Sequence, residues 1–308
     1  MSTRFACARH ALDLGEPVCA TASQVRRWLL IEQDGPWGRD AVLESRIPPE
    51  VGRALKARAG ALQARLLLIR RHGPAGEDGP RRVFAAATSQ GSGFVEAFTV
   101  ATPADVLDLD LAPLAQQRRS GGEPVDGPLF LVCTNGRHDA CCAELGRPLA
   151  RAMAALHPEA TWECSHIGGD RFAGNLVCLP EGVYYGRVGP LEAAQVAAAH
   201  RAGRVDLDHY RGRSSLPFVV QAAEHFLRRE RGLVRLDDLV AQARERVDSL
   251  THRVLFAARD GRRYRVEVTV TPEPEARRLT CHASQPGSPP RYALTRLDEE
   301  PAPDRRPA

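Results

Sequence analysis

Residues 128–166 read as strand, loop, helix and strand in immediate succession, and that order restricts the fold more than any other stretch. PLFLVCT (128–134) is an apolar, strand-sized run, and the polar loop NGRHDACC follows it. ELGRPLARAMAALHP (144–158) then carries apolar residues at helical spacing. TWECSH (161–166) is a second strand that runs into the glycine turn IGGD. Such alternation belongs to the α/β class.

The rest of the chain extends this pattern. NLVCLP (175–180) and VYYGRV (183–188) predict a hairpin around Glu181-Gly182, and LEAAQVAAAHRAG (191–203) predicts a helix ending at Gly203. The resulting β-α-β-β-α order over 128–210 is the order a thioredoxin-like α/β sandwich needs. Upstream, WLLIEQ (28–33), ARLLLIRR (64–71), RRVFAAATS (81–89) and FVEAFTV (94–100) read as strands. PPEVGRALKARAGALQ (48–63) reads as a helix with proline at its start. Residues 1–115 are therefore expected to form a second α/β sandwich, a thioredoxin-like form without ligands. QQRRSGGEPVDG (116–127) has the composition of a linker. Residues 215–298 predict a small α+β region. It holds two helices, PFVVQAAEHFLRRERG and LDDLVAQARERVD, a hairpin turning at Asp260-Gly261, and strands in RRLTCHA and RYALTRL. The tail, 299–308, is expected to be disordered.

Composition narrows the function. Lys56 is the only lysine, the net charge is +4, and the arginines are scattered. A nucleic-acid groove wants a basic stripe with stacking aromatics; aromatics are 6% of this chain, so no nucleic-acid partner is expected. The longest apolar runs, such as LLLI and WLLI, are strand-sized, and MSTRFACARHALDLGEP has no uninterrupted apolar core. No membrane partner and no secretory signal are expected, and the compartment reads as cytoplasmic. There, eight cysteines are reduced, metal-bound or redox-active rather than a disulfide framework.

Five of those cysteines fall between 133 and 178. Cys133 ends a strand, and Cys142 lies at or near a helix start, where a thiolate is stabilised. Cys164 and His166 are two apart on an extended segment and so share a face. Gly168 and Gly169 permit a tight turn behind them. These four residues sit in polar, glycine-bearing loops at strand ends, where α/β proteins place functional groups. They suit a metal or iron–sulfur site. The remaining thiols read differently. Cys178 fits an apolar strand, while Cys7, Cys19 and Cys281 are scattered and read as small core residues. His138, His157 and His200 read as surface or loop histidines. PWGRD reads first as a structural turn; the alternative is that its Trp37, Arg39 and Asp40 form part of a contact with the second block.

C-T-N-G-R-H-D-A-C-C, W-E-C-S-H-I-G-G-D-R-F-A-G-N and Y-Y-G-R-V together resemble the sucrase/ferredoxin-like family. WLLIEQDGPWGRD and RGRSSLPFVVQAAEHFLRRERG extend the resemblance over most of the chain. It implies a thioredoxin-like [2Fe–2S] ferredoxin domain. In relatives the cluster is held by two cysteines in C-x8-C and two histidines in H-x3-H. Cys133, Cys142 and His166 match three of those positions, and Asp170 stands at the fourth. Carboxylate is a poor match for iron–sulfide beside a thiolate, so Cys164 is the expected substitute. The expected ligand set is Cys133, Cys142, Cys164 and His166. Asp170 is the alternative ligand, or else a partner of Arg171 or Arg137. Cys141 competes with Cys142, because adjacent side chains diverge.

A one-electron carrier served by a reductase and an acceptor protein follows from that resemblance, rather than an enzyme acting alone. Two other readings compete with it: a thioredoxin-like thiol-redox enzyme using Cys133 or Cys142, and a zinc-stabilised binding module. The chain has no C-x-x-C, which weighs against both. Glycoside hydrolysis needs a carboxyl pair in a sugar-lined cleft, and no acidic motif stands out.

Overall fold

The computed structural model describes residues 5–73 and 79–300. The first half contains α1 (Cys7–Asp13), β1 (Arg27–Glu32), α2 (Pro49–Ala61), β2 (Arg65–Arg70), β3 (Arg81–Ala87), β4 (Phe94–Val100) and β5 (Glu123–Pro124). The second contains β6 (Leu129–Cys133), α3 (Ala140–Leu156), β7 (Thr161–Cys164), β8 (Leu176–Leu179), β9 (Val183–Tyr185), α4 (Ala193–Arg201) and β10 (Tyr210–Arg213). Then come α5 (Phe218–Arg231), β11 (Leu239–Arg246), β12 (Thr251–Ala258), β13 (Arg263–Pro272) and β14 (Pro290–Glu300). The α/β class is as expected. Among the described residues, no helix is long and apolar enough to cross a membrane.

The strands of both expected α/β blocks belong to one ten-stranded sheet, ordered β10-β9-β8-β6-β7-β2-β1-β3-β4-β5. Each half traces the same path. β1 and β2 are parallel, joined through α2, with β3 antiparallel on β1 and β4 antiparallel on β3. β6 and β7 are likewise parallel, joined through α3, with β8 on β6 and β9 on β8. The halves meet where β2 pairs antiparallel with β7, so equivalent strands face each other across a local twofold. The expected linker carries β5, which extends the β4 edge.

Strands buried on both faces need continuous apolar sequence, which WLLIE and LFLVC supply. One face alternates with the other. Leu29, Ile31 and Leu68 pack under Leu55 of α2, while Phe130 and Val132 pack under Leu149 and Met153 of α3 and Val196 of α4. The opposite face has no helix of comparable size and is filled by the sheet curling on itself. Trp28 on β1 and Tyr184 on β9 stand five strands apart in the sheet order. At ~4.8 Å per strand a flat sheet would separate them by roughly 24 Å, yet their ring centroids are 6.3 Å apart. Phe84 and Trp162 meet on the same face at 5.5 Å. The curl is secured where Thr88 bonds to Ser214, 3.2 Å apart, and the Val25 N–H donates to the Ser214 carbonyl at 2.9 Å.

α5 lies against a separate antiparallel meander, β11-β12-β13-β14. Val219, Val220, Ala223 and Leu227 of the helix pack on Val254, Phe256, Tyr264 and Val266 of that sheet. Three sequence expectations fail in this region. LDDLVAQARERVD is not a helix. Its core, Leu239–Arg246, is β11, because pairing with β12 overrides the weak helix preference of its charged residues. RRLTCHA is an irregular segment whose β-pairing is limited to an isolated Arg277–Gly287 bridge. β14 continues through Glu299 and Glu300, so the first two residues of the expected tail are ordered; 301–308 lie outside the described residues.

The β2–β7 seam contains two register pairs, Ile69–Cys164 and Arg70–Glu163. So short a ladder depends on its side chains. Arg70 donates to Glu163 through Nε at 3.0 Å and a terminal nitrogen at 2.7 Å, Thr134 donates at 2.8 Å, and His72 Nδ1 lies 2.7 Å away. Burial opposes the charge on Glu163, but His72 and Arg70 outweigh it and hold the carboxyl below the usual range. A depressed folded pKa contributes stability above the unfolded value of about 4.3, and that contribution is lost as pH falls through the lower folded value. Glu163→Gln is expected to cost about 2–3 kcal/mol in urea unfolding at neutral pH. Its acid transition should lack the part that Glu163 supplies.

Candidate metal centre

The centre forms at the carboxyl ends of the parallel strands β6 and β7. Cys133 is the last residue of β6, and its N–H donates to the Asn175 carbonyl at 3.0 Å. α3 begins at Ala140, four residues earlier than its apolar pattern predicts, because Asp139 caps it by accepting the Cys141 N–H at 3.0 Å. Cys141 and Cys142 therefore sit in the first helical turn rather than in the loop. The helix can rest directly on the strand because residue 146 is glycine. A Cβ there would lie 2.0 Å from the Cys133 carbonyl oxygen.

The returning strand β7 leads into Ser165–Asp170. The Ser165 N–H donates to the Leu68 carbonyl at 2.8 Å, and Arg65 donates to the His166 carbonyl at 2.8 Å. Gly168 and Gly169 both adopt positive φ, +95° and +80°, as the predicted turn requires. Behind the turn lies the buried Arg211. It donates to the Gly168 carbonyl at 3.0 Å, to Asn175 Oδ1 at 2.7 Å and to the Thr21 carbonyl at 2.6 Å. Arg211 thus holds the β8 start and the N-terminal segment against the turn. Sequence reading had no signal for this role beyond the RGRSS stretch itself.

Sulfur atoms of Cys133 and Cys142 and a ring nitrogen of His166 lie within 4.8 Å of one another. Cys164 is not brought into this group. As the register partner of Cys133 it faces the same side of the sheet, but it is fully buried in the core with Trp28, Ile69 and Tyr184. Burial pushes its thiol well above the ordinary range. Asp170, rather than Cys164, lies against Cys142 and His166. The Cys142 thiol donates to Asp170 Oδ1 at 3.2 Å, and His166 Nδ1 lies 3.0 Å from the same oxygen. Asp170 pairs with neither Arg171 nor Arg137; Arg171 donates instead to Glu16 at 2.8 Å.

His138, expected to be an ordinary loop histidine, stacks on His166 with ring centroids 3.6 Å apart. It forms a second close group with His166 and Asp170. PWGRD does reach this loop. Asn135 donates to the Gly38 carbonyl at 3.3 Å, and His138 Nδ1 lies 3.4 Å from the Arg39 carbonyl. His200 is also no surface residue. It is buried between Tyr185 at 3.3 Å and Glu181 at 3.1 Å. Cys178 is a core residue, as expected.

The electrostatics favour a charge pair between the Cys133 sulfur and the His166 ring. The Cys142 thiol, despite burial, and the His166 ring hold the Cys133 sulfur well below the ordinary thiol range. Cys142, held beside that sulfur and buried, is pushed up. Burial works against charge on His166, but Asp170 and Cys133 outweigh it and raise the ring to about 9. His166 Nδ1 is buried and, despite its proximity to Asp170, makes no well-aligned hydrogen bond. Two sulfurs and an imidazole converging in this way fit a metal group that takes soft and borderline donors; the harder Asp170 carboxylate lies against Cys142 and His166. On the histidine side the centre opens into a groove of about 660 Å³, bordered by Arg39, Lys56, Arg65, Asn135, His138 and His166.

The family model described as sucrase/ferredoxin-like matches residues 18–212, which include this whole centre. The chain belongs to the sucrase/ferredoxin-like family. It is also 30% identical over 101 residues to altered inheritance of mitochondria protein 32 of Meyerozyma guilliermondii. That match covers 29% of this chain and 36% of the relative, so it spans about a third of the relative's length. No solved structure matches the chain significantly.

Cys141 does not compete for this centre. It points the other way, into a buried group with Cys7, Cys281 and Asp139. The close seat of α3 on β6 generates a decisive substitution. Helix propensity alone would favour Gly146→Ala by about 1 kcal/mol. The contact with the Cys133 carbonyl is expected to reverse the sign and destabilise the chain by about 1–3 kcal/mol, measured as the urea midpoint at constant m.

Proposed function

We propose that this protein is a one-electron carrier whose [2Fe–2S] cluster is held by Cys133, Cys142, His166 and Asp170. One observation carries the reading: the C-x8-C thiols meet His166 across two strand ends and a helix start, and Asp170 touches both Cys142 and His166. Membership of a family whose name includes ferredoxin supports it. The parallel pair with a crossover helix and two further antiparallel strands in each half supports a thioredoxin-like ancestry.

When bound, the cluster takes up and releases one electron. Cys133 and Cys142 would supply the thiolates, and the partly exposed His166 and the buried Asp170 would supply the other two donors. A neutral imidazole in place of a thiolate makes reduction easier: bis-histidine centres lie at about −150 to +300 mV against about −400 mV for all-cysteine plant-type clusters. An anionic Asp170 opposes part of that gain. His138, stacked on His166, shields the ligand ring and lines the groove. We assign the groove, with Arg39, Lys56 and Arg65 on its border, as the docking face for a reductase and an acceptor protein. We propose a reducing compartment such as the cytoplasm, where cysteines are kept reduced or metal-bound. The same donors would suit a single tetrahedral zinc ion, and colour separates the two readings.

Anaerobically purified protein is expected to be brown, with about two irons and two sulfides per chain and an EPR signal on reduction. A colourless chain containing zinc at this centre would sink the proposal. Cys142→Ala should lose the colour, whereas Cys164→Ala should keep the iron content of the parent. Asp170→His removes one negative charge from the ligand set. It is expected to retain the cluster and raise its potential, read by redox titration.

A further inference from the structure

A second group of donors lies on the far side of the first turn of α3. Cys7, Cys141 and Cys281 Sγ atoms and the Asp139 carboxylate all lie within 4.8 Å of one another. Cys7 and Cys281 are 274 residues apart in the chain, yet their sulfurs are 3.5 Å apart, as are those of Cys141 and Cys281. Both Asp139 oxygens lie 3.6 Å from Cys7 Sγ. All eight cysteines are free thiols, so no disulfide accounts for the proximity.

The geometry points to a tetrahedral zinc site, with Cys7, Cys141 and Cys281 as thiolate ligands and Asp139 as the oxygen ligand. A tetrahedral ion with Zn–S of about 2.3 Å and Zn–O of about 2.0 Å requires S···S near 3.8 Å and S···O near 3.5 Å. The observed separations approach those edges before any ion draws them together. The four residues are at most 8% exposed, and Asp139 is wholly buried. Among the described residues, no arginine, lysine or histidine pairs with Asp139. Its oxygens accept only the Cys141 N–H at 3.0 Å, the Cys281 N–H at 2.7 Å and the Cys7 thiol. A buried carboxylate without a cation is costly, and a divalent ion would supply the missing charge. The two backbone donors fix the carboxylate's orientation, as outer hydrogen bonds do in metal sites.

A closed, four-donor site without an open position is structural rather than catalytic. Here it would clamp three distant segments: α1, the first turn of α3, and the irregular segment after β13. Cys7 and Cys281 lie outside the family-matched residues 18–212. The clamp therefore joins this chain's flanking segments to the turn that also carries Cys142. It does not depend on which group the first centre holds.

The full-length chain and its Cys133→Ser/Cys142→Ser variant, both produced with zinc in the medium, test the assignment. The double variant leaves all four proposed ligands in place and disables the other centre. One zinc per chain in the double variant, with a zinc-edge X-ray absorption spectrum showing three sulfur neighbours and one oxygen neighbour, is the expected result. Adding Cys281→Ser should reduce the sulfur count or empty the site. A zinc-free double variant, two or fewer sulfur neighbours, or nitrogen ligation would overturn the assignment. Loss of visible colour from the parent chain would count against the iron–sulfur reading alone.

Discussion

The β2–β7 seam is the constraint on which the rest of the structure depends. Two α/β halves of identical path are merged into one sheet by a ladder of two residue pairs, and Glu163 holds that ladder together through Arg70, His72 and Thr134. The seam also builds the candidate centre. Cys164 and Glu163 of β7 face β2, while Thr134, directly after Cys133, reaches across to the same carboxylate. Joining the halves therefore sets the position of the strand ends from which Cys133 and His166 project. The curl that follows closes Trp28 onto Tyr184 and buries a face that no helix covers.

The first turn of α3 is the second point of convergence. Asp139 caps the helix, and the consecutive cysteines behind the cap diverge to opposite sides. Cys142 faces His166 and Asp170; Cys141 faces Cys7 and Cys281. The close approach at Gly146, one turn further along, seats the helix against the Cys133 carbonyl. Any change that tilts α3 would move both sets of donors at once. A clamp on one side of the turn is thus a means of holding the geometry on the other.

Much of the architecture was legible because strands buried on two faces and amphipathic helices leave strong periodic signals. WLLIE, LFLVC and the α3 pattern placed β1, β6 and the main helix correctly. β11 was misread because its exposed face is rich in charge and its identity comes from pairing with β12. In the candidate centre, Cys133, Cys142 and His166 could be picked out by their loops and spacing. Cys164 could not be excluded from the sequence, since alternation along a strand says which face a thiol takes, not which neighbours it meets there. His138 and Arg211 were missed because stacking and burial against a turn have no local signature.

What the sequence by itself determined is the α/β class, the order of β1–β4 with α2 and of β6–β9 with α3 and α4, and a candidate cysteine–histidine grouping at two strand ends. These follow from local rules: hydrophobic period, glycine turns and the residue types that can bind metal. Only the tertiary structure decided that the two blocks share one curled sheet. It alone brought Asp170 rather than Cys164 to the centre, and Cys7 and Cys281 to Cys141. Those outcomes depend on contacts between residues up to 274 positions apart, and no local pattern encodes a distance across a folded chain.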